Sequence, residues 1–172
     1  KTFTTPCFEN IKQLACETQQ LTYLAGLEGP HIVYCDKVDP TGDDAPRSFR
    51  MRQDAHSTAL GKSILSFKTK DELKNIYKTY SLYKHTKNTI TSLDKLIIDL
   101  NKSRKSGFSI NEAETFDYIH GIGSAILDSQ GRAIAGISIS GTKGTINLKT
   151  IPDLSLKVIN TAKQISQRLI NN

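Results

Sequence analysis

The chain is expected to adopt an α+β fold, with helices packed on a central antiparallel sheet. Two observations predict this. Apolar residues alternate with period two in segments joined by short turns, and hairpins make antiparallel neighbours. Between and outside these segments the apolar spacing switches to i, i+3, i+4, the signature of amphipathic helices. With 172 residues, 37% hydrophobic and 23% charged, the chain suits one domain with a single core.

Residues 7–16 read as a short helix with Phe8, Ile11 and Ala15 on one face. Leu21, Tyr23, Ala25 and Leu27 then alternate along a strand, and Glu28-Gly29-Pro30 forms a turn into a second, β-branched strand over residues 32–38. Residues 39–46 have loop composition, and residues 47–52 read as a third strand. A helix is expected from Ser57 to about Phe67, carrying Leu60, Ser63, Ile64 and Phe67. Thr69-x-x-Glu72 is a capping box opening another helix, with Leu73, Ile76 and Tyr77 inward. Residues 81–91 are polar and irregular. Leu93, Leu96, Ile97 and Leu100 give helical spacing, ended by Arg104, Lys105 and a C-terminal Gly107. Residues 108–113 resume as a strand. A hairpin follows, with strands over 119–127 and 132–140 around a turn at Asp128-Ser129-Gln130-Gly131, and residues 152–170 close the chain as a helix.

Several function classes are excluded by composition. No apolar run is long enough to span a bilayer, so no membrane partner is expected. Three cysteines, Cys7, Cys16 and Cys35, form an odd set without short spacing, which points to reduced thiols and a cytoplasmic location. Cys16 and Cys35 are expected to act as small apolar packers. The histidines His31, His56, His85 and His120 show no short ligand spacing, so neither a metal nor a cofactor is expected. The net charge of +6 is spread along the chain without an interleaved aromatic stripe, and reads as a solvated surface. The absence of an initiator Met suggests a fragment of something longer.

Two stretches could form a site. In Ala55-His56-Ser57-Thr58-Ala59-Leu60-Gly61-Lys62, small hydroxylated residues precede a helix whose first N–H groups are free to bind an anion. The plainer reading makes Ser57 or Thr58 an ordinary N-cap. In the last hairpin, a turn at 128–131 pairs Gly123 with Gly136, Gly121 with Ser138 and Ile119 with Ser140, all on one nearly bare face. Such a surface is either the floor of a ligand cavity or a seat for a tightly packed helix. Asn111 is a third candidate; its plainer role is to shape a turn.

Four features resemble a known family. They are Ile32-Val33-Tyr34-Cys35-Asp36-Lys37-Val38; His56-Ser57-Thr58-Ala59-Leu60-Gly61-Lys62; Thr89-Ile90-Thr91; and the run from Gly107-Phe108-Ser109 through Glu114 to Gly136-Ile137-Ser138-Ile139-Ser140-Gly141. Over nearly its whole length the chain resembles the C-terminal effector-binding domain of IclR-type transcriptional regulators. The resemblance implies a GAF-like (profilin-like) sheet domain behind a DNA-binding winged helix-turn-helix that is not in this chain. It implies a dimer or tetramer responding to a small organic acid or related metabolite, often as a repressor, with DNA contacted only through the missing domain. The implied effector shell is Ala59, Leu60, Asn111, Ile119, Gly121, Ser138 and Ser140. Departures from the family pattern fall in this shell: Asn111 replaces a usual Asp and Gly121 a usual Cys. Arg50 and Asp54 stand where Gly and Pro are common, and Tyr118 replaces a Gly. An enzyme pairing Cys16 or Cys35 with His56 or His120 is the competing reading, and direct DNA binding by the basic surface is a third.

Overall fold

The computed structural model describes residues 4–41 and 51–171. Six antiparallel strands form one sheet in the order β3-β2-β1-β6-β5-β4. The strands are β1 (Leu21–Glu28), β2 (His31–Val38), β3 (Arg52–Asp54), β4 (Ser109–Glu112), β5 (His120–Leu127) and β6 (Ala133–Gly141). The helices are α1 (Thr4–Thr18), α2 (Ala59–Leu65), α3 (Lys70–Ile76), α4 (Leu93–Ser106) and α5 (Ile151–Ile170), with a 3₁₀ turn at Ala55–Ser57 before α2. Most of the strand expected over residues 47–52, with Arg50, lies outside the described residues; β3 itself covers Arg52–Asp54.

Strand alternation divides the core in two. Leu24, Ile122, Ile126, Ile137 and Ile139 point to one face, where Ile11 and Leu14 of α1 and Val158, Ala162 and Ile165 of α5 cover them. Ala25, Ile32 and Tyr34 point to the other, beneath Leu60 and Ile64 of α2, with Leu73 of α3 and Leu96 and Leu100 of α4. Both sides of the sheet are therefore dry, which is why its central strands carry more apolar residues than a half-exposed sheet would. The helix ends follow local chemistry. Thr69 and Glu72 exchange both capping hydrogen bonds, at 3.2 and 2.7 Å, and Gly107 ends α4 at a φ of 85°, a conformation glycine adopts without penalty.

Two expectations need correction. The β5–β6 register is displaced by two residues: Gly121 pairs with Ser140, Gly123 with Ser138 and Ala125 with Gly136, because the ladder shifts between Ile126 and Leu127 near the turn. A displacement of two preserves side-chain parity, so the same small residues still share a face. Cys16 and Cys35 are exposed rather than packed, and Cys7 is the buried thiol. For Cys35 the cause is a β-bulge: Leu24 pairs with Asp36 but Ala25 with Tyr34, leaving Cys35 as the surplus residue. Tyr34 shares the α2 face with Ile32 by ordinary alternation, and the bulge after it carries Asp36 to the side of Leu24.

Candidate functional site

A cavity of about 190 Å³ lies between the start of α2 and the sheet face formed by β1, β4, β5 and β6. All seven residues of the expected shell line it: Ala59, Leu60, Asn111, Ile119, Gly121, Ser138 and Ser140. The small-residue face of the hairpin serves both expected purposes, in different places. A Cβ on Gly123 would lie 2.6 Å from the carbonyl carbon and oxygen of Ala59, and one on Gly136 would lie 3.1 Å from Leu60 and Ile64. Those two glycines seat α2. Gly121 beside them meets only the Ile139 carbonyl oxygen at 3.2 Å and the Cβ atoms of Ala59 and Asn111, so its missing side chain becomes cavity.

The helix start is held from below. Thr58, not Ser57, is the N-cap of α2, its Oγ1 accepting from the Gly61 N–H at 3.0 Å. Gly61 is required because a Cβ there would sit 2.3 Å from the Ala55 carbonyl oxygen. Lys62 follows, with only 2% of its surface exposed, and its Nζ donates to Glu114 Oε1 at 2.7 Å and Asp99 Oδ2 at 2.9 Å. This triad, buried at Lys62 and Glu114 and partly exposed at Asp99, joins α2, α4 and the loop after β4. Burial pushes the Glu114 carboxyl above the ordinary carboxylate range, against the opposing pull of Lys62. Thr86 and Thr89 donate to the carbonyls of Ala113 and Glu114 at 2.6 Å each, fixing the same loop from the other side.

Asn111 does shape a turn, and it also faces the cavity. Its Oδ1 accepts from the Glu114 N–H at 2.8 Å, while Nδ2 has only a 3.5 Å contact with Thr115 Oγ1. A backbone donor demands an acceptor, so the amide oxygen points to Glu114 and the NH₂ group toward the open space. An Asp here would keep the first bond and replace the free donor with a negative charge.

Further lining residues escaped sequence reasoning: Tyr23, Tyr34, Met51, Gln53, Thr115 and Phe116. The Tyr34 hydroxyl donates to Gln53 Oε1 at 2.7 Å, and the Tyr23 and Tyr34 rings lie 5.1 Å apart. Tyr23 alternates with Ala25 and Leu27, and Tyr34 with Ile32; alternation gives their side of the sheet but not the cavity they border. Among the described residues no Lys, Arg, His, Asp or Glu lines the cavity. What it offers is neutral: two serine hydroxyls, an amide NH₂, tyrosine and threonine hydroxyls and aromatic rings. That chemistry suits a small polar molecule and supplies no general base or nucleophile pair.

The histidines lie elsewhere. His56 is fully buried, with Nε2 3.0 Å from the Tyr83 carbonyl oxygen, and burial holds its imidazole below the ordinary histidine value. No hydrogen bond joins a cysteine to a histidine among the described residues. No described helix is long and apolar enough to cross a membrane.

Comparison with known proteins agrees with this geometry. The model of the family described as "Bacterial transcriptional regulator IclR C-terminal" matches residues 7–167. The chain is 27% identical over 162 residues to the transcriptional regulator KipR of Bacillus subtilis, covering 92% of this chain and 64% of KipR. It is 30% identical over 131 residues to KdgR of Escherichia coli, covering 76% of this chain and 50% of KdgR. The chain thus spans only half to two thirds of these relatives. The crystal structure of the C-terminal domain of E. coli KdgR superposes with a TM-score of 0.89 at 25% identity, covering 98% of this chain and 99% of that domain. A double mutant of the PobR inducer-binding domain from Acinetobacter, solved with 3-hydroxybenzoic acid, shares the fold with a TM-score of 0.87 at 20% identity, covering 96% and 98% of the two chains.

Proposed function

Because the chain belongs to the IclR family of bacterial transcriptional regulators and corresponds to their C-terminal effector-binding domain, we propose that its cavity senses a small organic acid or related hydroxylated metabolite. The observation that carries this reading is the cavity itself: a recess bounded by hydrogen-bonding and aromatic groups, with no charged side chain among the described residues that line it. A carboxylate there would be gripped by Ser138, Ser140, the Asn111 NH₂ group and the N–H groups of Ala59 and Leu60, with Ile119 and Gly121 setting its shape. Tyr23, Tyr34 and Phe116 would cover its apolar part.

The family is one of regulators, not enzymes. In the proposed mechanism the effector binds one arrangement of a dimer or tetramer better than another, and this differential affinity changes how winged-helix domains outside this chain meet DNA. The protein would work in the cytoplasm and, as the similar transcriptional repressor AllR of Escherichia coli suggests, as a repressor; DNA would not be held by this chain itself.

A thermal-denaturation screen of small carboxylic and sugar acids tests the proposal. A true effector at one hundred times its Kd adds about 2.7 kcal/mol of stability. That gain is expected to vanish in a Ser138→Ala, Ser140→Ala double variant that melts normally without ligand. No stabilisation by any acid, or stabilisation that survives both substitutions, would refute the reading.

A further inference from the structure

Outside the lining of the candidate cavity, the fold gathers Asp54, His56 and His85, from the end of β3, the 3₁₀ turn and the irregular segment after α3. One donor atom from each lies within 4.8 Å of the other two. We propose that these three residues bind a divalent first-row transition metal, with zinc(II) as the best match to two imidazoles and a carboxylate. The residues that would build this centre are separated by up to 31 positions, which is why short ligand spacing could not reveal them.

The geometry of His56 is the principal support. Its ring is fully buried, and its Nε2 lies 3.0 Å from the Tyr83 carbonyl oxygen. A carbonyl only accepts, so Nε2 carries the proton and Nδ1 keeps its lone pair. Nδ1 is buried and has no hydrogen-bond partner among the described residues. Leaving an imidazole nitrogen dry and unpaired costs free energy, and a cation offers it a partner. A backbone carbonyl holding the far nitrogen of a histidine is also the usual support for a metal-ligating one.

Asp54 and His85 complete the donor set. The Asp54 side chain is 9% exposed; its Oδ2 lies 2.8 Å from His85 Nε2, and its Oδ1 accepts from the Tyr80 hydroxyl at 2.7 Å. A metal would replace the proton shared between His85 and Asp54, and Tyr80 would keep orienting the carboxylate. His31 approaches the same carboxylate to 3.5 Å and lies 3.0 Å from the Tyr80 hydroxyl, so it is placed to support or to supply a fourth ligand. His85 is exposed at the surface and provides an open side for the ion to enter. Three nitrogen and oxygen ligands with a further position open are typical of zinc, whose ligands sit about 2.0–2.2 Å from the ion. Gln53 and Thr58, which flank the cluster in sequence, both line the effector cavity. An ion here would therefore stiffen one wall of that cavity, although its binding does not depend on the effector reading.

Equilibrium dialysis against zinc chloride, with metal counted by mass spectrometry, tests the site. The two exposed thiols are first removed by Cys16→Ser and Cys35→Ser, so that they cannot capture zinc. One zinc per chain is expected, with affinity falling by about 100-fold or more in His85→Ala and in Asp54→Asn, and unchanged in His120→Ala. Both ligand substitutions lie at or near the surface, and far-ultraviolet circular dichroism checks that each variant is folded. Cobalt(II) should give visible d–d bands in the parent that disappear in His85→Ala. Failure of the parent to retain zinc, or equal retention by folded His85→Ala and Asp54→Asn, would overturn the proposal.

Discussion

Gly123 of β5 lies so close to Ala59 at the start of α2 that a single methyl group on it would sit 2.6 Å from the Ala59 carbonyl oxygen. Backbone against backbone has no flexible end to move aside. Gly123→Ala is therefore expected to push α2 off the sheet and cost about 1–3 kcal/mol, as overpacking does. Urea denaturation measures this. Gly121→Ala, whose nearest neighbour is 3.2 Å away, should cost less and act mainly by narrowing the cavity.

Lys62 is the only cation beside the buried Glu114 carboxylate and the partly exposed Asp99 carboxylate among the described ion pairs. Lys62→Met removes it and strands a buried acid, with an expected loss of about 3–5 kcal/mol at neutral pH. Adding Glu114→Gln should recover a substantial part of that loss, because the stranded charge is then gone. A double-mutant cycle by chemical denaturation reads the coupling; independent, additive losses would contradict it.

Burial raises the Glu114 carboxyl above its unfolded value of 4.5. A raised folded value means that the native state holds this proton more firmly than the unfolded chain. The stability it contributes is complete below pH 4.5 and is lost as pH rises through the folded value. The stability of the parent minus that of Glu114→Gln should therefore fall with rising pH across that window and then level off. A difference that grows with pH would show that Lys62 outweighs burial.

Asn111→Asp would keep the acceptor for the Glu114 N–H while introducing a charge that no cation among the described lining residues balances. Affinity for any carboxylate effector found by screening is expected to fall by about tenfold or more, since like charges at close range repel strongly even at moderate dielectric. Calorimetric titration of both proteins with the same acid decides it. Unchanged affinity would place the carboxylate elsewhere in the cavity.

Much of this was legible in the chain, for physical reasons that differ by element. The helices carry caps and clear periodicity, as at Thr69 to Glu72 and at Gly107, so their ends could be read closely. The face shared by Gly121, Gly123, Ser138 and Ser140 was legible despite a register displaced by two, because parity survives an even displacement. Tyr34 shares the face of Ile32 by alternation, but the cavity beside it is set by tertiary packing, and Gln53 was hidden because β3 runs to Asp54, past the residue 52 at which the sequence ends that strand. Lys62 was hidden for another reason: a lysine among small residues reads as solvated, and only the convergence of Glu114 and Asp99 makes its burial tolerable. The grouping of Asp54 with His56 and His85 is set by tertiary packing, which local spacing cannot report.

The surplus position in β2 has a practical use. Cys35 belongs to neither packed side, yet it is bonded directly to Tyr34, whose ring borders the cavity. With Cys16 changed to serine, a thiol-reactive fluorophore at Cys35 would hang outside the sheet and register movement of the cavity wall without entering it. The protein carries its own attachment point for an optical readout of occupancy.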